Sequence, residues 1–70
     1  MNIIVFGATG TVGRHIVDRA LLQGHDVTAF ARSAASVPLS HPNLSVIEGD
    51  VLREDDVMSA MAGHEAVIVA

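Results

Sequence analysis

The 70-residue sequence has no cysteine, tryptophan, tyrosine or lysine, and only two prolines and two phenylalanines. Without cysteine there is neither a disulfide framework nor a thiolate metal site. Four arginines against eight acids leave a net charge of −4 and an isoelectric point near 5.3. That balance argues against a nucleic-acid partner, because phosphate binding needs a basic face. No run approaches the roughly 20 apolar residues of a membrane span, and Met1-Asn2-Ile3 lacks the basic start of a signal peptide. A cytoplasmic protein with no membrane partner is expected. What the sequence does have is 50% apolar residues against 17% charged, too apolar for a disordered chain. A chain of this size buries only about 60% of its unfolded surface, so a self-sufficient core would be marginal.

Apolar runs alternate with helical patterns along residues 1–70, which read as one α/β unit, the N-terminal part of a larger domain. Asn2–Phe6 is nearly continuous in apolar residues and ends at Gly7, as suits a strand buried on both faces of a parallel sheet. Val27–Ala31, Leu44–Ile47 and Ala66–Ala70 read the same way. Val12, Ile16, Val17, Ala20 and Leu21 recur on one helical stripe, stopped by Gly24. A second helix is expected from about Arg53 to Ala62, with Glu54, Asp55 and Asp56 in its first turn and Gly63 closing it. Pro38 and Pro42 break up Ser33–Asn43, where a loop with at most one helical turn is expected. The order β-α-β-loop-β-α-β predicts the first half of a doubly wound parallel sheet with strand order 3-2-1-4 and one helix on each face. The fourth strand is then a bare apolar edge, an aggregation liability. Ala70 is accordingly expected to be a truncation point, the edge being completed by further residues or by another copy of the chain.

The segment richest in chemistry is Gly7-Ala8-Thr9-Gly10-Thr11-Val12-Gly13, directly after a strand and before a helix. Gly7 permits a tight turn, Gly10 leaves room for a pyrophosphate, and Gly13 lets the helix pack closely on the sheet. Amides near Thr11 and Val12 would point at the phosphates, aided by the helix N-terminus. In that context the triplet predicts dinucleotide binding by Gly7, Thr9, Gly10, Thr11, Val12 and Gly13. NAD-preferring proteins carry an acid at the carboxyl end of the second strand. Asp26 begins that strand and so lies about 15–20 Å from its binding end. Arg32 and Ser33 occupy the correct end. A guanidinium there can pair with a 2′-phosphate through charge-assisted bonds, with the hydroxyl in support. NADP is therefore expected in preference to NAD.

Gly-Ala-Thr-Gly-Thr-Val-Gly, with Gly49-Asp50-Val51 and Gly63-His64-Glu65-Ala66-Val67-Ile68, resembles the atypical and extended short-chain dehydrogenases/reductases. The pattern is most similar to the NmrA-like and biliverdin/flavin-reductase-like NAD(P)H-binding proteins. The resemblance implies that the Asp50 carboxylate accepts from the adenine amino group and that the Val51 backbone pairs with the ring. It also implies that Val69 and Ala70 face the central ribose, although both suit an ordinary core. One departure is Leu52-Arg53 where the family often has a helix cap, which weakens the start of the second helix. The Tyr-x-x-x-Lys pair of classical members has no counterpart here.

The remaining polar residues read as ordinary. His15, His25, His41 and His64 make no metal spacing and are expected at turns or on the surface. Met58 and Met61 are expected as core filler. The function implied is the NADP(H)-binding portion of an oxidoreductase acting on a small organic acceptor such as a flavin or quinone. The alternatives are a non-catalytic NADP(H)-sensing regulator and, more weakly, a sugar-nucleotide epimerase or dehydratase. The catalytic residues and the substrate are not specified by these residues.

Overall fold

The apolar run Asn2–Phe6 forms β1, and Ile3 through Phe6 are all buried, two side chains on each face. The computed structural model describes residues 1–37 and 40–70, so Pro38 lies outside the described residues. The other elements are α1 (Thr11–Leu22), β2 (Asp26–Ala31), β3 (Leu44–Glu48), α2 (Glu54–Met61) and β4 (Ala66–Val69). Among the described residues of the connection after β2 there is one 3-10 turn, Ala34–Ser36, within the one helical turn the sequence allowed. All strand pairs are parallel, in the order β3-β2-β1-β4, as the alternation predicts.

Handedness decides which face each connection covers. The steps from β1 to β2 and from β3 to β4 run in opposite directions across the sheet, so right-handed crossovers put α1 and α2 on opposite faces. The packing shows this division. Val17 and Ala20 of α1 join Ile3, Val5, Val27 and Ala29 on one side, while Ala60 of α2 joins Ile4, Phe6 and Phe30 on the other. The step from β2 to β3 continues in the first direction, and its loop residue Val37 packs on the α1 side. Ile4, Val5, Val17 and Val27 are the largest fully buried side chains, each contributing about 1.5–3 kcal/mol by burial.

Two expectations about side chains are corrected. Val12 is not part of the buried stripe; it is 65% exposed, and Gly13, Val17 and Ala20 are the buried residues of α1. Val12 stands in the first turn, one position round from Gly13, which takes the inward place against the Gly7 backbone. Met58 and Met61 are exposed rather than core, because the inward face of the short α2 is taken by Val57 and Ala60.

The start of α2 has a support the sequence reading did not find. Arg53 at the cap position makes no side-chain capping bond. Instead Asp56 Oδ2 accepts from the Asp50 N–H at 3.0 Å, and Asp50 Oδ1 accepts from the Leu52 N–H at 2.9 Å. Asp56→Ala is expected to lower stability by about 1 kcal/mol, the usual scale for losing one such bond. A shift in the urea midpoint with unchanged slope would register it.

Candidate functional site

Because every strand is parallel, Phe6, Ala31, Glu48 and Val69 end at the same edge of the sheet. Order reverses between β1 and β4, and the crevice outside carboxyl ends at such a reversal is where open α/β sheets bind ligands. The glycine loop sits there. Gly7 has φ +80°, and a Cβ on it would meet the Ala70 carbonyl oxygen at 2.9 Å, since the Ala70 N–H donates to Phe6 O at 2.9 Å. A Cβ on Gly13 would lie 2.0 Å from the Gly7 carbonyl oxygen, so only glycine lets α1 dock against the β1 turn. Gly10 differs. Its nearest neighbour would be 3.5 Å away, and its φ of −77° and ψ of 166° suit any residue.

Packing therefore makes no demand for glycine at position 10, and a Cβ there would have room, although as the α1 N-cap the position favours glycine over Ala or Val. Above it the N–H groups of Thr11, Val12 and Gly13 have no backbone acceptor among the described residues, as expected in the first turn of a helix. No acidic side chain stands in that turn, whereas α2 begins with Glu54, Asp55 and Asp56. The positive end of the α1 dipole is thus left without an internal counter-charge. Open backbone and unpartnered donors fit a pyrophosphate.

A groove of about 150 Å³ runs from this loop to the ends of β2 and β3, lined by Gly7, Thr9, Phe30, Ala31, Arg32, Gly49 and Val51. It brings together Gly7, Thr9, Arg32 and Val51 from the expected set. Phe30, Ala31 and Gly49 were not foreseen. The Phe30 ring packs at 4.9 Å from Phe6, and a Cβ on Gly49 would come within 2.6 Å of it. Gly49 therefore keeps the floor of the groove against an aromatic face. Asp26, at the first register position opposite Asn2, lies at the far end of the sheet, as the sequence implied.

At the mouth of the groove the polar residues interact with one another. Arg32 Nη2 is 3.6 Å from Asp50 Oδ2, with the arginine side chain 77% exposed. Ser33 Oγ accepts from the Ala35 N–H at 3.3 Å, and Glu48 Oε2 accepts from the Ala34 N–H at 2.8 Å. Glu48 was not foreseen either; only the pairing of Ala31 with Glu48 brings it to this turn. Ser33, Asp50 and Ala70 do not line the groove; Asp50 meets it through Arg32 and Ala70 through its contact with Gly7. The histidines lie elsewhere: His64 Nε2 is 3.0 Å from Thr28 Oγ1, and His41 Nδ1 accepts from the Asn43 N–H at 3.0 Å.

Comparison with known proteins adds to this geometry. A family model described as NAD(P)H-binding matches residues 7–70. The chain is 35% identical over 66 residues to a 3-beta-hydroxysteroid dehydrogenase of Mycolicibacterium neoaurum, a match covering 94% of this chain and 18% of that protein. It is 34% identical over 71 aligned positions to the photosystem II assembly factor Ycf39 of Synechocystis, covering 100% of this chain and 22% of that protein. Among solved structures, a Rossmann-fold NAD(P)-binding family protein from Shigella flexneri superposes with a TM-score of 0.85 at 32% identity, over 99% of this chain and 36% of that one. The chain spans about a fifth of the length of the curated relatives it matches.

Proposed function

Because the chain belongs to the NAD(P)H-binding family of atypical short-chain dehydrogenases/reductases, we propose that it is the NADP(H)-binding part of an oxidoreductase reducing a small organic acceptor such as a flavin or quinone. The observation that carries the reading is the contrast between Gly13, which the packing requires, and Gly10, which it does not. A glycine that packing does not require, set before unpartnered helix amides, suits a ligand that must approach the backbone. In this reading Gly7, Thr9, Gly10, Thr11 and Val12 hold the pyrophosphate and Gly13 seats the helix behind it. Arg32 and Ser33 take the 2′-phosphate, Asp50 and Val51 the adenine, and Ala70 borders the central ribose. Hydride transfer belongs to the nicotinamide, and the protein's share is to bind and orient it.

A second reading, a cofactor-sensing regulator without turnover, draws support from the likeness to a photosystem II assembly factor. Calorimetric titration of the full-length protein with NADPH and NADH tests both. Binding with NADPH the tighter is the expected result, and failure to bind either removes the proposal. NADPH oxidation in the presence of flavin or quinone then separates reductase from sensor.

A further inference from the structure

The proposed 2′ end of the groove is not simply basic. Arg32 lines it, and two carboxylates stand outside the lining: Asp50 at 3.6 Å from the Arg32 guanidinium and Glu48, tied to the turn that follows Arg32. Asp50 is committed through Oδ1 to the Leu52 N–H and belongs to the loop before α2. Glu48 has a different setting. It is the last residue of β3, in register with Ala31, the last residue of β2. Its Oε2 is tethered at 2.8 Å to the backbone N–H of Ala34, two residues beyond Arg32 and one beyond Ser33. Neighbouring Cα atoms are about 3.8 Å apart, so this carboxylate stands within a few ångströms of the backbone that carries the proposed 2′-phosphate ligands. Among the described residues no cation lies within 4.0 Å of the Glu48 carboxylate.

We infer that Glu48 is a specificity-determining residue: a tethered carboxylate beside the 2′ position that opposes a 2′-phosphate and narrows the NADP preference created by Arg32. The inference rests on the dinucleotide-binding reading of the groove. Like charges in an exposed setting repel modestly, in proportion to their separation and the screening between them. NADH carries no group at that point for Glu48 to repel, so the effect is confined to the phosphorylated cofactor.

Glu48→Gln isolates the charge, because the amide oxygen can still accept from the Ala34 N–H. In the full-length protein this variant is expected to bind NADPH roughly three- to fivefold more tightly, the scale of one exposed charge pair, with NADH unchanged. The gain should shrink as salt is added. Glu48→Ala removes both charge and tether, and is expected to move NADPH affinity the same way. Thermal melting of both variants checks the fold, which an exposed position should leave intact. Unchanged or weaker NADPH binding by Glu48→Gln overturns the inference. So does a weakening confined to Glu48→Ala, which would make Glu48 only a strut for the turn. Wild-type protein that binds neither nucleotide removes the dinucleotide reading and this inference with it. Wild-type binding with an unaltered Glu48→Gln removes this inference alone.

Discussion

Gly10→Val is expected to leave the protein folded and to take binding of both NADH and NADPH below detection. The backbone at Gly10 is extended, with φ −77° and ψ 166°, a region where β-branched residues are at ease. A Cβ placed there meets nothing closer than 3.5 Å, so the fold admits a side chain in the space before the α1 N-terminus. That is the space proposed for the pyrophosphate, and both cofactors share the pyrophosphate. Gly13→Ala is the contrasting experiment. Its Cβ would overlap the Gly7 carbonyl at 2.0 Å and crowd Ala8 Cα at 2.9 Å, backbone atoms that yield only if α1 lifts from β1. Loss of cooperative unfolding is expected there, with binding lost as a consequence. The two substitutions, each followed by thermal melting and titration, separate a glycine kept for the fold from one kept for the ligand. A Gly10→Val protein that melts like wild type and binds either nucleotide normally would show that the loop has no phosphate role.

This pair also shows how much of the molecule was legible in the sequence. The strand-glycine-helix context of residues 2–22 was readable because burial on both faces of a parallel sheet leaves a continuous apolar run, and glycines punctuate it. Strand order followed from alternation and handedness. The motif itself assigned Gly13 to close packing of the helix and Gly10 to the ligand, and the structure bears out the first, since a Cβ on Gly13 would meet the Gly7 carbonyl oxygen at 2.0 Å. Gly49 and Glu48 were missed because their roles depend on contacts across space. Their partners, Phe30 and the Ala34 amide, lie at sequence separations that only the register of β2 with β3 brings close. Val12 and the two methionines were misplaced because residue type reports hydrophobicity but not which neighbour arrives to cover it. The helix that begins at Glu54 looked weakly capped and has no side-chain cap; its start is held instead by Asp56 accepting from the Asp50 N–H of the preceding loop, a pairing the sequence did not signal.

Cofactor choice is the most selective consequence of the proposed site. NADPH differs from NADH by one 2′-phosphate, and among the groove-lining residues Arg32 alone carries positive charge. A charge-assisted hydrogen bond contributes about 1.5–3 kcal/mol, which corresponds to roughly 10- to 150-fold in affinity. The lower end applies, because the Arg32 side chain is 77% exposed and already shares its charge with Asp50 at 3.6 Å, and exposed pairs are screened by water and salt. Arg32→Ala in the full-length protein is therefore expected to weaken NADPH by about tenfold and to leave NADH nearly unchanged. Arg32→Asp should go further and invert the preference: it adds a third carboxylate beside Glu48 and Asp50 to repel the phosphate, and that acid can accept from the ribose hydroxyls. In the wild type the ratio of the two affinities should fall as ionic strength rises, since the contact lies at the mouth of an open groove. Equal losses for both nucleotides on Arg32→Ala would place the arginine in general binding or in folding. No loss for either would remove it from the site, and the preference would then have to come from Ser33 and the backbone of the turn that follows it.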